Sequence, residues 1–271
     1  MQAFVSALFV YPVKSCGGIA LERAVLDACG LSHDRRWMIV DDEGRFVTQR
    51  TEPRLALVGV SLTHDALVLT APRMSALALP LWPQDGPSGR RIRRVVIWRD
   101  EVDAFDCGED AARWASDWLG SRASLVFMPD DVARPVNPKH GRAGDLVSFA
   151  DAFPVLLASS SSLADLNARM AVPVPMERFR PNIVVSGCPS WAEDTWTRIC
   201  ISDVPLRVVK PCTRCVITTV DQHTADRGVE PLRTLASFRT RENEVLFAQN
   251  CIHDGRGTVA VGDLVTVQES R

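Results

Sequence analysis

The sequence predicts an α+β protein that is mostly β, with a few short helices. Three observations predict it: short apolar runs broken at turn signals before residue 106, the same pattern again after residue 182, and few stretches with helical spacing. In the first part, Asp42-Glu43-Gly44 separates a strand over Trp37–Val40 from one over Phe46–Thr48. His64-Asp65 separates Val58–Leu62 from Leu67–Thr70, and Arg99-Asp100-Glu101 separates Val95–Trp98 from Val102–Phe105. Residues 83–91 read as a proline- and glycine-rich loop. Ala111, Trp114, Ala115, Trp118 and Leu119 then share one helical face, with Gly120 placed to end the helix.

Residues 129–145 combine prolines, glycines and basic side chains without an apolar period, which fits a domain linker and a lid over a site equally well. Ser162-x-x-Asp165 resembles a capping box ahead of Leu163, Leu166 and Met170. Strands are expected at Asn182–Ser186, Val204–Val209, Cys215–Val220 and Val245–Phe247, and as a pair, Thr258–Val261 and Leu264–Val267, across Gly262-Asp263. Pro231, Leu232, Leu235 and Phe238 give a short helix with proline in its first turn.

Composition limits the function classes. The chain has 271 residues, of which 46% are hydrophobic and 24% charged, enough for one large or two ordinary domains with full cores. A formal net charge of -2 argues against a nucleic-acid or membrane-surface binder. No apolar run is long enough to span a bilayer, and the N-terminus lacks the basic start and cleavage site of a secretory signal, so a cytoplasmic location is expected.

Gly255-Arg256-Gly257-Thr258-Val259-Ala260 matches a dinucleotide fingerprint in letters, but a strand pattern follows where a helix is required, and a hairpin turn is expected instead. The histidines have no ligand spacing, and the eight cysteines show no iron–sulfur spacing. Cys212 and Cys215 form the single C-x-x-C, within Lys210-Pro-Cys-Thr-Arg-Cys. Arg214 beside Cys215, with Lys210 near, would favour a thiolate suited to a soft metal or an electrophile. Spacing alone fits a buried structural pair better than a functional one.

Six blocks occur in order: YPVKSCGG, HDRRWMIV, FRPNIVVSG with WAEDTW, KPCTRCVITTVD, EPLRTLASFR and GTVAVGDLV. Together they resemble the MOSC family with its N-terminal β-barrel domain, in particular the mitochondrial amidoxime-reducing component and its bacterial counterparts. The resemblance implies a β-barrel-like domain at 1–122 and a MOSC β-barrel domain at 123–271. It also implies a molybdenum cofactor, Mo-molybdopterin, with one protein cysteine as metal ligand. By position that cysteine is Cys215, metal-binding and catalytic, and not Cys212. Lys14 and Ser15 match the residues that meet the cofactor phosphate, and Arg35, Arg180 and Asn182 match further cofactor contacts. Arg214 and Asp151 complete the cofactor-binding set, Asp151 more weakly, because Ala152 and Phe153 stand where the amidoxime reducers carry hydroxyl residues. Cys188 fits a structural role, and Glu193 and Asp194 fit a proton shuttle or an ordinary acidic loop equally.

The implied activity is two-electron reduction of N-hydroxylated compounds (amidoximes, hydroxylamines, N-hydroxylated bases) with N–O cleavage and loss of water. The alternatives are a molybdenum-cofactor binding or sulfur-carrier module without reductase activity, and a dithiol protein without cofactor. Cofactor sulfurases place MOSC beside a pyridoxal-phosphate domain for which this length leaves no room, so no pyridoxal phosphate is expected. Bacterial relatives often continue into a ferredoxin-like domain, whereas this chain stops at Arg271. Electrons are therefore expected from a separate partner, a ferredoxin or a small haem protein with its flavin reductase.

Overall fold

The computed structural model describes residues 2–82 and 91–271, so the loop expected at 83–91 lies outside the described residues except for Arg91. The largest sheet has nine strands. Its order is Val265–Ser270, Trp196–Ile201, Val204–Thr213, Glu244–His253, Val155–Ser159, Ile183–Ser186, Phe4–Val10 and Ile19–Leu21, with Thr240–Arg241 added to Glu244–His253. The start of Phe4–Val10, next to last in this order, meets the start of Val265–Ser270 where Val5 N–H donates to Asp263 O and Val265 N–H to Ala3 O, each at 2.8 Å, which curls the sheet into a barrel. Val5, Leu8, Leu157, Ile183, Val185, Ile199, Ile201 and Leu206 fill its interior. Among the described residues the one parallel pair in this sheet, Val155–Ser159 with Ile183–Ser186, is joined by a helix over Ser160–Asn167, the crossover that parallel strands require.

A four-stranded sheet runs Trp37–Asp41, Ala123–Phe127, Asp100–Asp106, Ile92–Ile97. Its first two strands are apolar on both faces because they separate two cores. Trp37, Ile39, Leu125 and Phe127 face one cluster, and Met38, Val40 and Val126 face the other. The helix over Glu109–Leu119 buries Ala111, Trp114, Ala115 and Trp118 and ends at Gly120, whose φ of 72° is the left-handed stop the sequence predicts.

Several expectations need correction. Cys215–Val220 is not a strand: Val216–Thr219 is a 3-10 turn. The Thr218 and Thr219 hydroxyls donate to the carbonyls of Cys215 and Val216 (3.0 and 2.8 Å), so local bonds replace a ladder despite the β-branched composition. The strands on either side of Gly262-Asp263 do not form a hairpin, because Gly257–Ala260 pairs with Arg23–Asp27 and Val265–Ser270 with Trp196–Ile201. The Gly255 turn likewise joins strands of different sheets, although a strand and no helix does follow it. Phe46–Thr48 contributes only a bridge to Val40. The helix over Ser160–Asn167 is capped by Ser159, which accepts from Ser162 N–H; Ser162 itself lies in the first turn and its hydroxyl donates to Glu193 at 2.6 Å. Met170 lies beyond the helix. The helix expected near Pro231 spans Leu232–Phe238. Among the described residues no helix is long and apolar enough to cross a membrane.

Candidate functional site

One cleft, open to solvent, is lined by Lys14, Ser15, Arg35, Asp151, Arg180, Asn182, Arg214 and Cys215, all the cofactor and metal candidates read from the sequence. Arg50, Phe153 and Cys212 also line it. The turn after strand Phe4–Val10 supplies Lys14 and Ser15, the segment before Trp37–Asp41 supplies Arg35, and the turn before Ile183–Ser186 supplies Arg180. The last residues of Val204–Thr213 and the following 3-10 turn supply the cysteines. Ser15, Arg35 and Arg180 have φ of 67°, 50° and 54°, a left-handed backbone that side chains other than glycine seldom adopt. Three such residues facing one cleft fit the clustering of backbone strain at functional places.

Lys14 is buried. Its ammonium donates to Phe149 O at 2.8 Å and pairs with Asp151. Burial pulls its pKa down to about 8, a fall that Asp151 only partly offsets. The Asp151 carboxylate also accepts from Arg50 Nη2 at 3.0 Å. Loss of water would raise its pKa, but the two cations override this and hold it well below the usual carboxylate range. The segment carrying Asp151 is pinned by Arg134, which donates to Ser148 O at 2.8 Å and Ala150 O at 2.6 Å. The 129–145 loop therefore packs beneath the cleft wall through a buried guanidinium, a contact its composition did not disclose.

Arg50 went unnoticed in the sequence. Its guanidinium faces Asp151 and the Cys215 sulfur; burial alone would lower its pKa, yet these two groups hold it above the ordinary value. Arg227 fixes its backbone by donating to Gln49 O at 2.9 Å and to Arg50 O. The cation expected beside Cys215 was Arg214, but Arg214 donates to Cys212 Sγ at 3.0 Å and to Phe179 O at 2.7 Å, while Lys210 pairs with Glu244. Asn182 reaches the cleft wall with both ends of its amide engaged: Oδ1 accepts from Leu156 N–H at 3.1 Å and Nδ2 donates to Phe9 O at 3.3 Å. It ties three strands of the barrel together at the site.

The lining carries five cations, Lys14, Arg35, Arg50, Arg180 and Arg214, against one carboxylate. Arg50 Nη1, Arg180 Nη2 and Arg214 Nε are buried without a hydrogen-bond partner. A buried donor left unmet costs about 1–3 kcal/mol, so three of them on one cationic wall are a donor set matched to an anion and a polar ring. Two cysteine sulfurs open onto the same space. The residues present thus fit a phosphate-bearing cofactor with a soft metal.

Cys188, Glu193 and Asp194 do not line this cleft. Cys188 packs against the barrel core beside Ser159. Asp194 pairs with Arg239 at 2.7 Å and accepts from Gln249 Nε2 at 2.7 Å. Glu193 is fully buried, and burial, with a smaller push from Asp194, lifts its pKa from 4.5 to about 7 against the bond from Ser162. The folded chain then holds a proton that the unfolded chain has lost between those two pH values, so stability falls as pH rises through that window, by up to about 3 kcal/mol, and levels off above it. Glu193→Gln should remove this slope and gain on the natural chain at pH 8 relative to pH 5. Urea midpoints at the two pH values measure it, and parallel pH profiles for both proteins would contradict it.

Comparison with known proteins places this geometry. The model of the MOSC N-terminal beta barrel domain matches residues 2–122, and that of the MOSC domain matches residues 145–266. Mitochondrial amidoxime-reducing component 1 of Mus musculus is 38% identical over 279 residues, covering 96% of this chain and 81% of that protein. The component 1 of Homo sapiens is 37% identical over 281 residues, covering 96% and 82%. Mitochondrial amidoxime reducing component 2 of Homo sapiens is 37% identical over 246 residues, covering 87% and 72%. With both domain models matched in order and this identity over nearly its whole length, the chain belongs to the MOSC-domain family with an N-terminal MOSC β-barrel domain, the family of the mitochondrial amidoxime-reducing components.

Proposed function

We propose that this chain is a molybdenum-cofactor oxidoreductase that reduces N-hydroxylated compounds, taking its electrons from a separate redox protein. The observation that carries the reading is the cleft that Cys215 shares with five cations, three of which, Arg50, Arg180 and Arg214, carry a buried donor without a partner. Family membership supports the substrate class, since the relatives are named for amidoxime reduction. In this reading Cys215 is the metal ligand and the catalytic thiolate. Lys14, Ser15, Arg35, Arg180 and Arg214 hold the phosphate and pterin, Asn182 keeps the wall in place, and Asp151 orients Lys14 and Arg50. When bound, the molybdenum supplies the two electrons that N–O cleavage consumes. Lys14 and Arg180 are buried, so their charge interactions with a bound anion strengthen. All eight cysteines are free, as a reducing compartment such as the cytoplasm would keep them.

The test is reduction of benzamidoxime to benzamidine by the cofactor-loaded chain. Turnover is expected with a chemical donor such as reduced methyl viologen or with a ferredoxin or small haem protein and its reductase, and none with NADH or NADPH alone, because Gly255–Ala260 leads into a strand. Molybdenum-loaded protein that fails to turn over with every donor would favour a cofactor-binding or sulfur-carrier module.

A further inference from the structure

Tyr11 lies behind the cleft and does not line it, yet two of the lining guanidiniums rest on its ring. Arg35 and Arg180 place their guanidinium carbons 4.3 and 4.2 Å from the ring centroid. These two cations repel one another: Arg180 is brought down to about 10 by burial and by Arg35. Arg35 Nη2 nevertheless donates to Arg180 O at 3.1 Å, which keeps the pair together. The Tyr11 backbone anchors the same arrangement. Its N–H donates to Asp34 Oδ1 at 2.8 Å and its carbonyl accepts from Arg35 N–H at 2.9 Å. Asp34 is buried and paired with Arg35. The ring also packs closely on Gly18, where an added Cβ would sit 2.5 Å from Tyr11 Cε1.

We infer that Tyr11 is a positioning residue, whose aromatic ring, in contact with both guanidiniums, holds Arg35 and Arg180 at the cleft as a two-guanidinium receptor for a phosphate group. This rests on the reading that the cleft binds a phosphate-bearing cofactor. The ring face is the active part. The hydroxyl is buried with no partner, and burial pushes the phenol up to about 12, so it stays neutral. An aromatic face attracts guanidinium and, once desolvated, offsets part of the repulsion between two of them. The Arg180 Nη2 donor left without a partner is then available to an incoming oxygen.

The experiment measures inorganic phosphate binding by calorimetry on the full chain made without cofactor, and in parallel the molybdenum content of chain made with it. Tyr11→Phe should bind phosphate within about twofold of the natural chain, since it keeps the ring, whereas Tyr11→Met should bind at least about tenfold more weakly. Pentafluorophenylalanine at position 11, which keeps the volume and reverses the ring's charge distribution, should lose affinity as Tyr11→Met does and gives a decisive variant if methionine impairs folding. In an Arg35→Gln, Arg180→Gln background, Tyr11→Met should weaken binding no further. Natural affinity in the pentafluorophenylalanine protein, equal losses in Tyr11→Phe and Tyr11→Met, or no phosphate binding by the natural chain would each overturn the inference. Absence of molybdenum from the natural chain with phosphate binding intact would instead remove the cofactor reading and leave the receptor standing.

Discussion

Cys215→Ser is expected to strip molybdenum from the purified protein and reduce amidoxime turnover by at least about a hundredfold, more than losing an outer partner of a metal site costs. Serine is close in size, but it replaces a soft thiolate by a hard, protonated hydroxyl. The fold should survive. Cys215 is half-buried at the start of a 3-10 turn, and it is its carbonyl that accepts from Thr218 N–H and Oγ1 at 3.1 and 3.0 Å, bonds that serine keeps. Cys212→Ser should be much milder, since the Cys212 sulfur accepts from Arg214 and a hydroxyl can accept in its place. Molybdenum analysis and turnover of the two variants decide the matter, and a reversed order would reassign the ligand to Cys212.

The second large effect is expected at the cationic wall. Arg35→Gln with Arg180→Gln should lower cofactor content at least about tenfold, because each guanidinium offers paired, charge-assisted donors that a glutamine amide cannot supply. Turnover per bound molybdenum should change far less, since these groups hold the phosphate and pterin away from the reacting atoms. Lys14→Gln should act in the same direction and also free Asp151, which would keep only Arg50 as a close cation. Normal occupancy with low turnover per molybdenum would move these residues from cofactor binding to chemistry.

What the sequence disclosed and what it hid have physical reasons. Helical spacing on one face and a terminal glycine made the helix at Glu109–Leu119 readable to within two residues. Strands with broken alternation were missed. Phe4–Val10 has a register shift between Val5 and Ala7, and Trp196–Ile201 has two such shifts, so neither shows the period of two on which a strand is recognised. Ala123–Phe127 is buried throughout, and a continuous apolar run has no period to read. The cofactor and metal candidates named from the resemblance converge on one cleft, whereas Glu193 and Asp194 of the WAEDTW block lie outside it. Arg50 lies outside every block, and it meets Asp151 across 101 positions of sequence, a contact that no local pattern encodes. Tyr11 stands within the first block but acts through two arginines, so only the packing reveals what it touches.

The central claim is that the cleft around Cys215 holds a molybdenum cofactor. The most direct test is elemental and pterin analysis of the full chain produced in a molybdate-fed host that assembles the cofactor. The account predicts close to one molybdenum per chain together with the fluorescence of the oxidised pterin. Protein that is folded but carries neither molybdenum nor pterin would contradict it.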